Sequence, residues 1–402
     1  MKILLANKFF FYKGGAERVY LQDRDFLISR NITILDFSML HPDNIFSSYT
    51  DYFVRNVNYS TTAGLFMKIR DAVNFIHSSE AVNNITRLVE KERPQIAHLH
   101  NIYHQLTPSI IPALKRLGVK VIFSIHDAKL LCPAYLMLRK GKICNLCNGR
   151  GFYHAAISGC QKSYLRGLLF TAEAYFHQWK KSYDSVDLFI QPSKFYADLF
   201  GTRRFPASKL RVLVNGIDMS MYKPTWQDHG YILYFGRLSA EKGVATLLNA
   251  HDRLGGGIPL RIVGTGPLEK QFSSRHPQAD FLGYKTGEEL TALVANASFI
   301  IVPSEWYENC SMVVLEAMAL GKPVIGSRIG GIPEQVEDGV TGILFPMGDT
   351  EALAEAMRTL WNDPELRLAM GLAAREKAER EYSLADHCQG LLSIYEELLS
   401  TP

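Results

Sequence analysis

Tyr231-Ile-Leu-Tyr-Phe-Gly-Arg-Leu-Ser-Ala-Glu-Lys-Gly243 is a short apolar run that ends in a glycine turn and opens a helix-length segment. That unit, a buried strand followed by a helix, is the βα step from which parallel sheets are built. Working outward, apolar runs of the same kind recur at 260–263, 299–302 and 322–325, and before it at 2–6, 95–100, 119–125 and 188–192. The alternation predicts an α/β chain of repeated βαβ units. Between the two series, Val212-Leu-Val-Asn-Gly-Ile-Asp218 reads as a strand running into an Asn-Gly turn, after which 221–229 is polar and contains Pro224. The expected organisation is therefore residues 1–217, residues 218–382 and a terminal helical segment, 383–402, set off by a break near Tyr382-Ser383. No internal repeat or low-complexity segment interrupts it.

The bulk properties agree with two domains. A chain of 402 residues exceeds the size at which one core stops growing, and 47% hydrophobic with 21% charged residues is too apolar for disorder. No apolar run approaches the roughly 20 residues that span a bilayer, and the start has no charged-then-apolar leader, so a cytoplasmic protein is expected. Six cysteines are too sparse for a disulfide scaffold. Charge divides unevenly. Residues 1–217 carry 29 Lys+Arg against 15 Asp+Glu, and residues 218–402 carry 15 against 25, or +14 and −10. Halves of opposite sign suit different partners, the basic one an anionic acceptor, a membrane surface or nucleic acid. A solvated basic face is the plain alternative.

Open parallel sheets bind ligands beyond the carboxyl ends of their strands, where loops lead into helix N-termini. Arg237 and Lys242 bracket such a turn after the strand at 231–235. A guanidinium that grips oxygens in pairs and a compact ammonium fit a diphosphate, although an ordinary surface turn would account for this motif alone. After 299–302 comes Pro303-Ser-Glu-Trp-Tyr-Glu308-Asn-Cys-Ser-Met-Val-Val-Leu-Glu316. Helical spacing puts Glu308 at the mouth of a helix and Glu316 about two turns inside it on nearly the same face. A carboxylate in so apolar a helix needs a partner, either sugar hydroxyls or an ion pair with Arg237 or Lys242. Backbone amides around Asn309, Cys310, Ser311 and Met312 are expected to be free to face a phosphate.

Taken together, Gly236-Arg237-Leu238 with Lys242-Gly243, Glu308 with Glu316, and Gly330-Gly331-Ile-Pro-Glu334 resemble the retaining glycosyltransferases of family 4, and the resemblance covers essentially the whole chain. Gly14-Gly15-Ala-Glu17 is similar to that family's N-terminal glycine loop and Asn215-Gly-Ile-Asp218 to its interdomain linker. The resemblance implies the GT-B fold, two Rossmann-like domains facing a cleft, with a C-terminal helix crossing back to the first. It implies that residues 1–217 hold a glycan or lipid-linked acceptor and residues 218–382 a nucleotide-diphosphate sugar. Arg237 and Lys242 would neutralise the diphosphate, Glu316 would hold the ribose, Glu308 and His126 would contact the donor sugar, and the Gly14-Gly15 backbone would lie near the phosphates. Where the family commonly has Phe-Gly after its first glutamate, this chain has Asn309-Cys310. Retention of configuration, no cofactor or catalytic metal, and a place in cell-surface polysaccharide or lipopolysaccharide synthesis are further implications. Asp23-Arg-Asp25 has the form of a metal-binding pair but falls within a predicted helix, where it reads as solvated surface.

The remaining feature is a cysteine-rich insert, 132–160. Cys132, Cys144, Cys147 and Cys160, with a central Cys-x-x-Cys, suit a structural zinc site; an iron–sulfur cluster or four reduced thiols in an acceptor loop are the alternatives. The segment 163–183 that follows, ending in Trp179-Lys180-Lys181, would either line a core or lie against an anionic membrane at the inner face of the cell membrane. Rival readings are a nucleotide-sugar epimerase or phosphorylase of the same fold, an inactive nucleotide-sugar binder, and a metal-stabilised nucleic-acid-binding protein. The last leaves Arg237, Lys242, Glu308 and Glu316 unexplained, so no nucleic acid is expected.

Overall fold

The computed structural model describes residues 1–57, 65–161, 163–255 and 257–400; the last two residues of the expected C-terminal segment, 401–402, lie outside these. Apolar runs too uniform for a one-sided sheet form two six-stranded parallel sheets, as strands covered on both faces must. The first contains β1 (Lys2–Ala6), β2 (Thr33–Phe37), β3 (Ile96–Leu99), β4 (Lys120–Ser124), β7 (Leu188–Gln191) and β8 (Leu210–Val212), in the order β2-β1-β3-β4-β7-β8. The second contains β9 (Ile232–Phe235), β10 (Leu260–Val263), β11 (Ala279–Gly283), β12 (Ile300–Val302), β13 (Val324–Ser327) and β14 (Gly342–Phe345), in the order β11-β10-β9-β12-β13-β14. A small antiparallel hairpin, β5 (Leu138–Arg139) with β6 (Lys142–Ile143), lies in the cysteine insert.

These orders position the site. In the first sheet the chain runs outward from β1 to β2, then returns to lay β3 against the other edge of β1, in the register Ile3↔Ile96. In the second it runs from β9 out to β11, then lays β12 on the free side of β9, with Leu233 opposite Ile300. Each reversal leaves a crevice beyond the strand ends where flanking loops diverge. The loops after β1 and β3 therefore line one crevice, and those after β9 and β12 line the other.

The chain joins the halves twice, side by side. Ile217 donates its amide to Tyr382 O at 2.8 Å, and Leu384 donates to Ile217 O at 3.1 Å. Gly216 is required there, because a Cβ would lie 2.6 Å from Leu384 Cα. Beyond this seam the helix Leu384–Ser400 returns to the first sheet, where Leu391, Ile394, Tyr395 and Leu398 pack with Ile3, Leu5 and Ile122. Each such buried side chain contributes roughly 1.5–3 kcal/mol. Among the described residues, no helix is long and apolar enough to cross a membrane.

Candidate functional site

One wall of the cleft is built by the second sheet. After β9 the chain makes the turn Ala240–Lys242 and passes through Gly243, whose φ of 68° precedes the helix Val244–Arg253. A Cβ at Gly243 would sit 1.8 Å from Pro303 O, so glycine alone lets this turn lie against the loop after β12. That contact brings Lys242 Nζ to 2.5 Å from Glu308 Oε1, which also accepts from Ser304 Oγ at 2.8 Å. Burial works to raise the Glu308 carboxyl, but Lys242 and Ser304 outweigh it and hold it below its usual range. Gly330, with φ 59°, lies so close beneath that a Cβ would meet Glu308 O at 2.3 Å. Arg237 is exposed at the lip.

The residues after Glu308 differ from expectation. Ser311 does not offer a free amide, because its N–H donates to Gln335 Oε1 at 2.8 Å and its hydroxyl caps the helix Met312–Ala319. Asn309 faces the first half, donating to Ile125 O at 2.8 Å and accepting from Ser193 Oγ at 3.0 Å. Glu334 does the same, accepting the Lys194 and Phe195 amides that start the helix Lys194–Gly201. Burial pushes the Cys310 thiol up to about 12, which makes it a small apolar filler rather than a nucleophile. Asn309-Cys310 therefore belongs to the closure between the halves.

The opposite wall follows β1. Gly14 is the N-cap of the helix Gly15–Ser29, and a Cβ on Gly15 would lie 3.5 Å from Met312 Cγ, so the glycine loop faces that helix across the cleft. Lys13 precedes it. Burial lowers its ammonium, Glu17 raises it, and Arg237 from the far wall lowers it again. Lys13 and Arg237 are both exposed and repel each other, so an anion placed between the walls would be favoured. Sequence reasoning missed Lys13, although its place directly before Gly14 was a usable signal.

It also named the wrong partner for Glu316. The ion pair is neither with Arg237 nor with Lys242 but with Arg18, one turn into the N-terminal helix, which also donates to Tyr222 Oη at 2.6 Å. Burial raises the Glu316 carboxyl above its usual range despite Arg18. Asp23 is a second correction. Far from solvated, it is buried on the inner face of the same helix and accepts from His387 Nε2 at 2.8 Å, while Asp25 is exposed.

His126 follows β4 and meets His100 from the end of β3, with Nε2 and Nδ1 3.0 Å apart. Behind them, His98 contacts Ser124 Oγ at 2.8 Å and Tyr395 Oη at 2.7 Å on the C-terminal helix. Burial pushes His126 down to about 4 and His98 down to about 3, so both rings are neutral at physiological pH. His126 is therefore a polar contact rather than a cation. The structure thus gathers Arg237, Lys242 and Glu308 on one wall and Gly14, Gly15 and His126 on the other, with Met312 and Glu316 reaching across.

In the insert, Cys132, Cys144, Cys147 and Cys160 all line one cavity of about 10 Å³. Among the described residues, no group of three or more His, Cys, Asp or Glu side chains is placed to hold a metal ion, so the expected tetrathiolate is not preassembled. The helix Tyr164–Trp179 buries Glu173 and His177 and exposes Tyr164, Leu165, Leu168 and Trp179.

Known proteins resemble this chain in sequence and in fold. The model of "Glycosyltransferase Family 4" matches residues 66–221, and that of "Glycosyl transferases group 1" matches residues 222–377. A sulfoquinovosyl transferase of Arabidopsis thaliana is 33% identical over 217 residues, 49% of this chain and 42% of the relative. The chain spans about half the length of the curated relatives it matches. Among solved structures, sucrose-phosphate synthase from Thermosynechococcus elongatus superposes with TM-score 0.74 at 19% identity, covering 100% of both chains. The Anabaena protein HepE, solved with UDP and glucose, superposes with TM-score 0.70 at 18% identity, covering 99% of this chain and 100% of its own. Both likenesses extend over two parallel sheets and the cleft between them, the GT-B architecture.

Proposed function

Because this chain belongs to the group 1 glycosyl transferases of glycosyltransferase family 4, we propose that it transfers a sugar from a nucleotide-diphosphate donor to a glycan or lipid-linked acceptor, with retention of configuration. The observation that carries this reading is the Lys242–Glu308 pair on one wall of the cleft, with the Gly14-Gly15 loop of the other wall set against Met312 of the same helix that carries Glu316. Departure of the diphosphate is the demanding event, since negative charge grows on its oxygens as the C1–O bond breaks. Fixed cations stabilise that charge without reorganising. Arg237, Lys242 and Lys13 would meet the phosphates. Glu316 would exchange Arg18 for the ribose hydroxyls. Glu308, oriented by Lys242 and Ser304, would accept hydrogen bonds from the donor sugar, and neutral His126 would contact the sugar from the acceptor side. The acceptor hydroxyl would attack C1 from the face the diphosphate leaves, passing its proton to the departing phosphate oxygen, with no metal in the step.

The basic first half and the exposed Leu165, Leu168 and Trp179, flanked by Arg166, Lys180 and Lys181, support an acceptor presented at an anionic membrane, as in surface polysaccharide or lipopolysaccharide assembly. The test is a thermal-shift and calorimetric screen against UDP, GDP, ADP and CMP and their sugars, with Glu316→Ala and Arg237→Ala/Lys242→Ala beside the wild type. One diphosphate should bind in the presence of EDTA and be lost by both variants. If no nucleotide stabilises the wild type, the reading fails.

A further inference from the structure

We propose that Cys132, Cys144, Cys147 and Cys160 close on a structural zinc ion that holds the insert, and with it the hairpin β5–β6, at the mouth of the cleft. Four cysteines from one short segment, 132–160, converge on one small enclosure, which they share with His154. All four are free thiols on that enclosure, Cys132 and Cys147 buried and Cys144 and Cys160 half-buried.

The insert joins the first-half core through Leu131, Cys132 and Met137 but has little packing of its own beyond them. Its private core consists of Cys147, Phe152 and Ala155, with Ala174 packed against them, and its strands are two residues each. Yet the segment holds Tyr135, Met137, Lys140 and Asn148 at positive φ, values of 68°, 50°, 49° and 43°. Side chains disfavour that region, and such conformations persist where something else determines them. Modules this small are ordinarily stapled by a disulfide or a metal.

Charge selects the metal over the disulfide. Between Asp127 and Glu173 the chain carries seven lysines and arginines and no aspartate or glutamate. Binding would release four thiol protons and leave a zinc tetrathiolate of charge −2, the anion this segment otherwise lacks. The enclosure is small, and drawing four thiols together around one ion at Zn–S distances of about 2.3 Å asks for less room than a cage of irons and sulfides. Closure from the metal-free arrangement requires the thiols to draw inward as they lose their protons.

The site would matter to the cleft because of its neighbours. Ile143, next to Cys144, packs against the core of the second half, and Cys132 lies in the same loop after β4 as His126. The experiment is metal analysis of the full chain, produced with zinc and iron both supplied and purified without chelator. A single zinc per chain is expected. It should be absent from Cys144→Ser/Cys147→Ser and retained in Cys388→Ser, whose cysteine lies on the C-terminal helix. Should the double variant not fold, the wild type decides: a mercurial should release zinc, read by a colorimetric dye, in step with titration of four thiols. Four freely reactive thiols without zinc, a Cys132–Cys147 disulfide found by mass, or iron with sulfide would each overturn the proposal.

Discussion

Glu308 and Glu316 come from one loop and helix, the first buried and the second partly buried, but they are held in opposite ways. Glu308 finds its cation and its hydroxyl within its own half, from Lys242 and Ser304, and stays ionised against burial. Glu316 finds its cation in the other half, from Arg18, and burial prevails over that partner. The difference separates a permanent fixture from an exchangeable one. A carboxylate whose counter-charge is built into the same rigid unit keeps its state when the cleft opens, whereas one that depends on the facing domain changes state with closure or with a ligand that takes the partner's place.

Lys242→Met tests the fixture most severely. It leaves Glu308 buried without a counter-charge, which costs about 3–5 kcal/mol and should abolish donor binding. Adding Glu308→Gln should recover most of the stability in chemical denaturation but none of the binding. Recovery of both would place these residues outside the donor site.

Asp23 and His387 extend the comparison to a pair sealed inside one unit. Burial lowers His387, but Asp23 more than offsets it and raises the ring above its ordinary 6.5. Its stabilising contribution is therefore complete below that value and is lost as pH rises through the raised one. Asp23→Asn should lower stability by on the order of 2 kcal/mol at neutral pH and flatten the alkaline decline of melting temperature; an unchanged decline would assign it elsewhere.

Arg18→Ala is the matching test of the exchangeable partner. Donor affinity should hold within about tenfold, a change of about 1.4 kcal/mol, or tighten, because the ribose no longer competes. Glu316→Ala should lose affinity. Equal losses in both would show Arg18 to be a donor contact.

The acid limb supplies the smallest effect. Glu316 protonates above the 4.5 of an ordinary glutamate, so donor affinity measured by calorimetry should begin to fall at a higher pH than Glu308 would dictate. Glu316→Gln should bind weakly but without that limb.

The strands that carry the cleft were legible because they are uniformly apolar. The run at 260–263 matches β10 and the run at 2–6 matches β1 residue for residue. β2 was not read, since Thr33-Ile-Leu-Asp-Phe37 interrupts its run with Asp36, whose charge is satisfied by Arg24 and Ser47 from elsewhere. The same limit governs the site. Local spacing exposed Arg237, Lys242 and the two glutamates, but Arg18, Lys13 and His100 acquire their meaning from contacts across the cleft or between strands, and no periodicity encodes those. Asp23 misled for the same reason: its partner lies 364 positions away.

The seam at Gly216 has a mechanical consequence. With both crossings hydrogen-bonded to each other, any rotation of one half against the other would pivot on this seam as on a single axle, and a small turn there would become a larger stroke at the cleft mouth. Glycine at 216 leaves the axle no side chain to jam against Leu384. A methyl group at that point would press on Leu384 and His387 and push the two crossings apart, loosening the tie between the halves.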